Sequence, residues 1–378
     1  MNRPLAGIRV IELGAVITGP YAGSLLAELG AEVVKIERPD GGDPFRSFLG
    51  GTYSPHFQAY NKNKKSVVLD LSNEEKRAVL RDLVATADVL LDNFRPGVLA
   101  RLGLDDDTVE KLNPRLVRCS ITGFGSKGPY SARPAYDAVA QSLAGIAGLF
   151  VDPENPRLTG PTISDNVTGM YAALGILAAL MERERTGKGK RVEVSMLEAS
   201  IAFIPDPFAF DDNGMTVTRT TRVAASQSYA VRCRDGEGLA LHLSSLPKFW
   251  DALCEAIERE DLGTDPRFET RALRYENYPI LAERLVEIFA ERDRAAWIER
   301  LERFDIPFAP INTIPETVAD PQVRELGTFY DSKASDGMAV RSIHCPIWFD
   351  GERTDPQGSP PLLGENTAEY TEKPANGR

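Results

Sequence analysis

The sequence predicts an α/β fold with a mostly parallel sheet, followed by a smaller block of different texture. Three observations carry this. Short apolar runs alternate with helical patterns over the first 125 residues, each strand is separated from the next by a helix-length segment, and the texture changes from about residue 226 to 313.

Residues 8–13 read as a buried strand. The following helix has Pro20 near its first turn, apolar residues through Leu29 and Gly30 at its end. Residues 32–37 and 66–71 are the next strands. Ser72 and Glu75 then have the S-x-x-E spacing of a capping box, opening a helix to about Thr86. Residues 88–91 and 116–122 complete the alternation. After Asp165, the residues Val167, Met170, Tyr171, Leu174, Leu177 and Met181 recur at helical spacing, and residues 191–195 read as a strand. Residues 205–225, rich in Pro, Asp and Thr, read as a linker. A strand pair around Cys233 to Gly236 and amphipathic helices near 247–259, 279–291 and 294–303 make residues 226–313 a separate block. Residues 314–378 read as a second linker and a return to the first block.

Composition narrows the function. With 42% hydrophobic and 26% charged residues, the 378-residue chain has the makings of a globular enzyme with a large core. A net charge of −11 gives no field that would attract nucleic acid or an anionic membrane, so an anionic ligand must be held by a few placed cations. The four cysteines, Cys119, Cys233, Cys254 and Cys345, form no CxxC pair, and there are three histidines. This argues against a zinc site or a disulfide framework and for reduced thiols in the cytoplasm. Residues 1–11 lack a signal-peptide pattern, and no apolar run is long enough to span a membrane.

Ligands of open α/β sheets bind beyond the carboxyl ends of the strands. Those ends carry Ile17 and Thr18, Arg38, Asn93, Phe94 and Arg95, and the Gly123-Phe124-Gly125 turn. Two guanidinium groups, an amide and an aromatic face suit an anionic nucleotide, although solvated loop residues look the same in sequence. A dinucleotide-binding enzyme is the competing reading: Gly14, Gly19 and Gly23 have the wrong spacing for G-x-G-x-x-G, while Glu37, beside Arg38, stands where a ribose contact would fall. Asp165 stands at the start of a helix, where a carboxylate serves as an N-cap and the helix dipole favours its charge. A desolvated carboxylate aimed at an electrophile is also a nucleophile. Position alone supports both readings.

Several stretches in order resemble the family III CoA-transferases. These are residues 4–13 (PLAGIRVIEL), 29–39 (LGAEVVKIERP), 61–71, 92–97 (DNFRPG), 163–165 (ISD), 187–196 (GKGKRVEVSM), 306–310 (IPFAP) and 320–323 (DPQV). The resemblance implies a Rossmann-like large lobe formed by both chain ends, an inserted smaller α+β lobe, and two subunits interlocked as a homodimer. It implies a coenzyme A thioester as substrate, a carboxylic acid as the second substrate and no prosthetic group. Carried over by position, Asp165 is the nucleophile. The CoA contacts fall on Ile17, Thr18, Arg38, Leu69, Asp70, Leu71 and Ser72, on Asn93, Phe94, Arg95 and Arg101, and on Pro134, Ala135, Tyr136 and Asp137. The basic run from Lys62 to Lys65 is expected as a solvated face beside the nucleotide.

Two departures stand out. The glycine-rich loop of some members is replaced by residues 222–226 (RVAAS), and the tail after Glu365 is short. The α-methylacyl-CoA racemases share the fold but use a His-Asp pair where this chain has Tyr136-Asp137. A non-catalytic CoA-binding protein is the third reading.

Overall fold

The computed structural model describes residues 3–51, 53–244, 246–354 and 358–372, so the last six residues of the tail lie outside the described residues. The chain is mixed α/β. Strands β1 (Arg9–Glu12), β2 (Glu32–Glu37), β3 (Lys64–Val68), β4 (Val89–Asp92), β5 (Val117–Thr122) and β6 (Arg191–Ser195) form one sheet in the order β3-β2-β1-β4-β5-β6. Every pairing in it is parallel.

Such a sheet must be covered on both faces, and it is. On one face Val10, Val33, Leu91 and Ile121 pack with the helices Thr18–Glu28 and Ser164–Thr186. On the other, Ile11, Val34, Val67 and Leu90 pack with Leu80, Leu83 and Val84 of the helix Glu74–Ala85. The first two helices approach closely at Gly169, where a Cβ would lie 2.9 Å from the Thr18 carbonyl oxygen. Contacts divide the chain into one unit of residues 1–205 and 325–378 and another of residues 206–324.

Four local readings differ from expectation. Strand β3 ends at Val68, because its partner β2 ends at Glu37 and the two pair from Val33↔Lys64 to Glu37↔Val68. Residues 69–71 therefore form a loop. The capping box does not form: the backbone N–H and hydroxyl of Ser72 both donate to Asp70 Oδ1, and Asn73 caps the helix by accepting from the backbone N–H groups of Glu75 and Lys76. The Lys62–Lys65 run is not a solvated face. Lys64 is buried against Glu12, Lys62 pairs with Glu28, and Lys65 pairs with Glu32 and Glu369. Finally, the expected linker 205–225 carries two helices, Pro205–Asp212 and Thr221–Ala225. The prolines of the first, Pro205 and Pro207, sit in its first turn, where a missing N–H costs nothing, and Ala224 of the second is buried in the core of the second unit.

That second unit has an antiparallel sheet of β7 (Ser228–Arg232), β8 (Gly238–His242) and β9 (Phe308–Pro310). Helices Pro247–Ala256, Tyr278–Phe289 and Arg294–Leu301 contribute Trp250, Leu285, Phe289 and Trp297 to its core. Trp297 satisfies its indole N–H on the Phe289 carbonyl at 2.8 Å. The stretch matched to a glycine-rich loop is here the helix Thr221–Ala225.

Candidate active site

Sheet order reverses between β1 and β4, and a crevice opens beyond the carboxyl ends of strands at such a point. A cleft of about 430 Å³ lies there. Its walls come from the loop after β1 (Ala15, Val16, Ile17, Thr18), the loop after β4 (Asn93 to Pro96, with Val98 and Arg101 beyond it) and residues 131 and 133–136 after β5. Asp165 and Met196 also line it.

Asn93 holds two walls together. Its side-chain oxygen accepts from the Ala15 N–H at 3.0 Å, and its amide nitrogen donates to the Ala15 carbonyl at 2.7 Å and to Thr18 Oγ at 3.0 Å. Both ends of the amide are therefore engaged within the protein. Gly123, at the end of β5, admits the third wall: a Cβ there would lie 2.3 Å from Ala135 Cβ. Gly14 and Gly19 approach so closely that a Cβ on either would lie 3.1 Å from the other's Cα. Those glycines serve a tight turn and not a dinucleotide fingerprint.

Asp165 occupies the second position of the helix Ser164–Thr186 and leaves only 7% of its surface exposed. It is not the N-cap: the cap position is Ile163, which makes no side-chain cap bond. No hydrogen bond or ion pair engages the Asp165 carboxylate among the described residues. Its backbone N–H instead donates to Asp137 Oδ1 at 3.1 Å, and Asp137 also accepts from Gln141 at 2.5 Å. Burial, and next the negative charge of Asp137, push the Asp165 carboxyl up to about 7. This corrects the expectation that the helix dipole keeps it fully ionised; desolvation outweighs the dipole here.

The rim is basic. Arg95, Arg101 and Arg133 line the cleft, Arg133 stacking over the Tyr130 ring at 4.0 Å. Arg95 and Arg101 pair with no carboxylate among the described residues. Uncommitted guanidinium groups around a concave site suit phosphate or carboxylate ligands. Tyr136, 67% exposed, adds an aromatic edge.

The cleft thus brings together Ile17, Thr18, Asn93, Phe94, Arg95, Arg101, Pro134, Ala135, Tyr136 and Asp165 from the residues singled out in the sequence. Asp137 supports Asp165 from behind. Arg38 and Leu69 to Ser72 do not line this cleft: Arg38 is exposed and donates to the Gly42 carbonyl at 3.0 Å, Leu69 is buried, Leu71 is half-buried, and Asp70 and Ser72 are exposed in their turn. Sequence reasoning missed Ala15, Val16, Arg133 and Met196. Arg133 was legible in principle, as the one cation beside the Pro134–Asp137 run. None of the three histidines lines the cleft.

Comparison with known proteins follows the same outline. Residues 5–367 match the model of CoA-transferase family III. A succinate–glutarate CoA-transferase of Agrobacterium fabrum is 32% identical over 377 residues, spanning 97% of this chain and 94% of its own. An acetyl-CoA:oxalate CoA-transferase of Acetobacter aceti is 34% identical over 335 residues, 84% of this chain and 83% of its own. The crystal structure of a CAIB/BAIF family protein from Brucella suis superposes with a TM-score of 0.85 at 31% identity, covering 98% of both chains. The chain belongs to CoA-transferase family III and is an enzyme of that family.

Proposed function

We propose that this enzyme moves coenzyme A from an acyl-CoA donor to a small carboxylic acid through covalent intermediates on Asp165. The observation that carries the reading is a buried carboxylate, free of partners among the described residues, facing a cleft with an arginine rim. The Asp165 carboxylate attacks the thioester carbonyl and expels CoA thiolate, forming an aspartyl mixed anhydride. The thiolate then attacks the Asp165 carbonyl, releasing the donor acid and leaving an aspartyl-CoA thioester. The acceptor carboxylate attacks that thioester and expels CoA thiolate, forming a second mixed anhydride, and thiolate attack on its acceptor carbonyl releases the new acyl-CoA and the Asp165 carboxylate. Each step exchanges one acyl bond for another, the ordinary logic of nucleophilic catalysis.

Arg95, Arg101 and Arg133 suit the phosphates, and Arg38 with Leu69 to Ser72 would lie along the nucleotide end. The strand order 3-2-1-4-5-6 supports a Rossmann-like nucleotide-binding lobe. The names of the relatives make oxalate and five-carbon dicarboxylates the first acceptors to try. An apolar stripe of Met170, Leu174 and Met181 is exposed along the helix Ser164–Thr186, which supports a subunit interface of the interlocked kind. Four buried free thiols suit a reducing compartment such as the cytoplasm.

The test is a panel of acyl-CoA donors and dicarboxylic, branched and aromatic acceptors, read as formation of the new thioester. Transfer that is lost in Asp165→Asn supports the reading. A racemase would invert α-methylacyl-CoA without acceptor acid, and a binding protein would turn over nothing.

A further inference from the structure

The loop after β1 carries the first wall of the cleft in a conformation that needs support. Val16 sits at φ +70°, in the left-handed region that costs a β-branched residue steric strain. Asn93 holds this loop at Ala15 and Thr18, on the cleft side. A second set of contacts holds it from below. Lys35 Nζ donates to the Gly14 carbonyl at 2.7 Å, and the Val16 N–H donates to the Asp43 carboxylate at 3.2 and 3.3 Å. The two side chains pair with each other at 2.9 Å, both almost fully buried.

The pair is not an isolated ion pair. Lys35 also meets Glu12 at 3.0 Å, from the paired position on β1, and Glu12 meets Lys64 at 2.9 Å. Burial pushes Lys35 down, but Asp43, Glu12 and Glu37 hold its charge well above the usual lysine range. Asp43 further accepts from the Phe45 N–H at 2.9 Å, tying the loop to the turn Pro44–Ser47, whose Phe45 packs with Ile17 and Phe57. Taken by itself, the ion pair gains little over apolar side chains of similar volume, so an apolar pair at Lys35 and Asp43 would replace the charge–charge contact at little cost. Neither could then accept from the Val16 amide or donate to the Gly14 carbonyl.

We propose that Lys35 and Asp43 are positioning residues that fix the loop from Ala15 to Thr18 against the cleft, so that acyl-CoA meets Asp165 in register. The inference rests on the CoA-transfer reading of this cleft. Neither side chain lines the cleft, so both act through the loop backbone. A displacement of about 1 Å at a reacting centre can cost around a hundredfold in rate, and Val16 released from its left-handed angle would no longer hold the cleft wall in place.

Asp43→Ala and Asp43→Asn are compared with Leu80→Ala, a core truncation on the opposite face of the sheet. Asp43→Ala is expected to lower kcat/KM for acyl-CoA about tenfold or more in the folded protein. Asp43→Asn keeps an oxygen for the Val16 N–H and should recover most of that loss. Leu80→Ala should lower the melting temperature and leave kcat/KM within about twofold. Hydrogen exchange at the Val16 amide should quicken in Asp43→Ala while amides of β1 and β4 keep their protection. If Asp43→Ala does not fold, Lys35→Met, which removes the Gly14 contact, is read in the same way. Kinetics in folded Asp43→Ala and Lys35→Met that match Leu80→Ala overturn the proposal. A wild-type enzyme that transfers no CoA fails the reading beneath it instead, so the two failures are distinct.

Discussion

Replacing Asp165 with asparagine should stabilise the protein at alkaline pH while removing its activity. The folded state holds the Asp165 carboxyl at about 7, against an ordinary value of 3.8. A carboxyl raised in the folded state stabilises it fully only below the unfolded value, and that contribution is lost as pH rises through the folded value. The full shift of roughly 3 units corresponds to about 4 kcal/mol at about 1.4 kcal/mol per unit. Between pH 5 and pH 8 the folded protein must release a proton that the unfolded chain has already lost, over roughly 2 units, or about 3 kcal/mol. The asparagine amide does not titrate. Urea unfolding of both proteins at pH 5 and pH 8 gives a double difference in which the groups that do not interact with Asp165 cancel. The variant should gain about 2–3 kcal/mol relative to wild type on going to pH 8. A difference that does not change with pH would refute a desolvated Asp165 and with it the poised nucleophile.

Other outcomes follow from the same geometry. Because the carboxylate form attacks, the rate of acyl-enzyme formation should rise about tenfold per pH unit up to about 7 and then level off in stopped-flow measurements. A flat profile from pH 5 to 8 contradicts this. Arg101→Ala should raise the KM for acyl-CoA about tenfold, leaving the melting temperature nearly unchanged, since its guanidinium lies on the exposed rim; an unchanged KM removes it from the proposed phosphate contacts. Gly23→Ala should lower stability by about 2 kcal/mol or more on urea unfolding, because its methyl would lie 2.0 Å from Glu12 Oε2 in the buried Lys35–Glu12–Lys64 network. A neutral substitution would mean that the network is free to relax.

Much of this architecture is local and therefore legible. Strands β2 and β6 follow from their apolar residues and flanking turns, and the helix starting beside Asp165 from its 3.6-residue period. The cleft residues Ile17, Thr18 and Asn93 to Arg95 were accessible because parallel α/β sheets put ligands at strand ends. What escaped were the interactions between distant residues. Glu12, Lys35 and Lys64 are charges inside strands, and they look like solvated positions until β1 and β2 align Glu12 with Lys35. Asp43 reads locally as no more than a cap before Pro44, since its hold on Val16 depends on a loop 27 residues away. The titration of Asp165 was misjudged for the same reason: sequence shows a helix start, and only the fold shows Asp137 behind it and the burial around it. Residues 205–225 misled in the opposite way, because two short helices, one with proline in its first turn, carry too few residues to display a period.

The central claim is that every turnover passes through a covalent bond to Asp165. Wild-type enzyme incubated with acyl-CoA and hydroxylamine, then digested and weighed by mass spectrometry, measures this directly. The account predicts a hydroxamate on Asp165 that requires acyl-CoA and is absent from Asp165→Asn, since both the anhydride and the thioester are trapped that way. A wild-type enzyme that transfers CoA at full rate while its Asp165 peptide keeps its unmodified mass would contradict it.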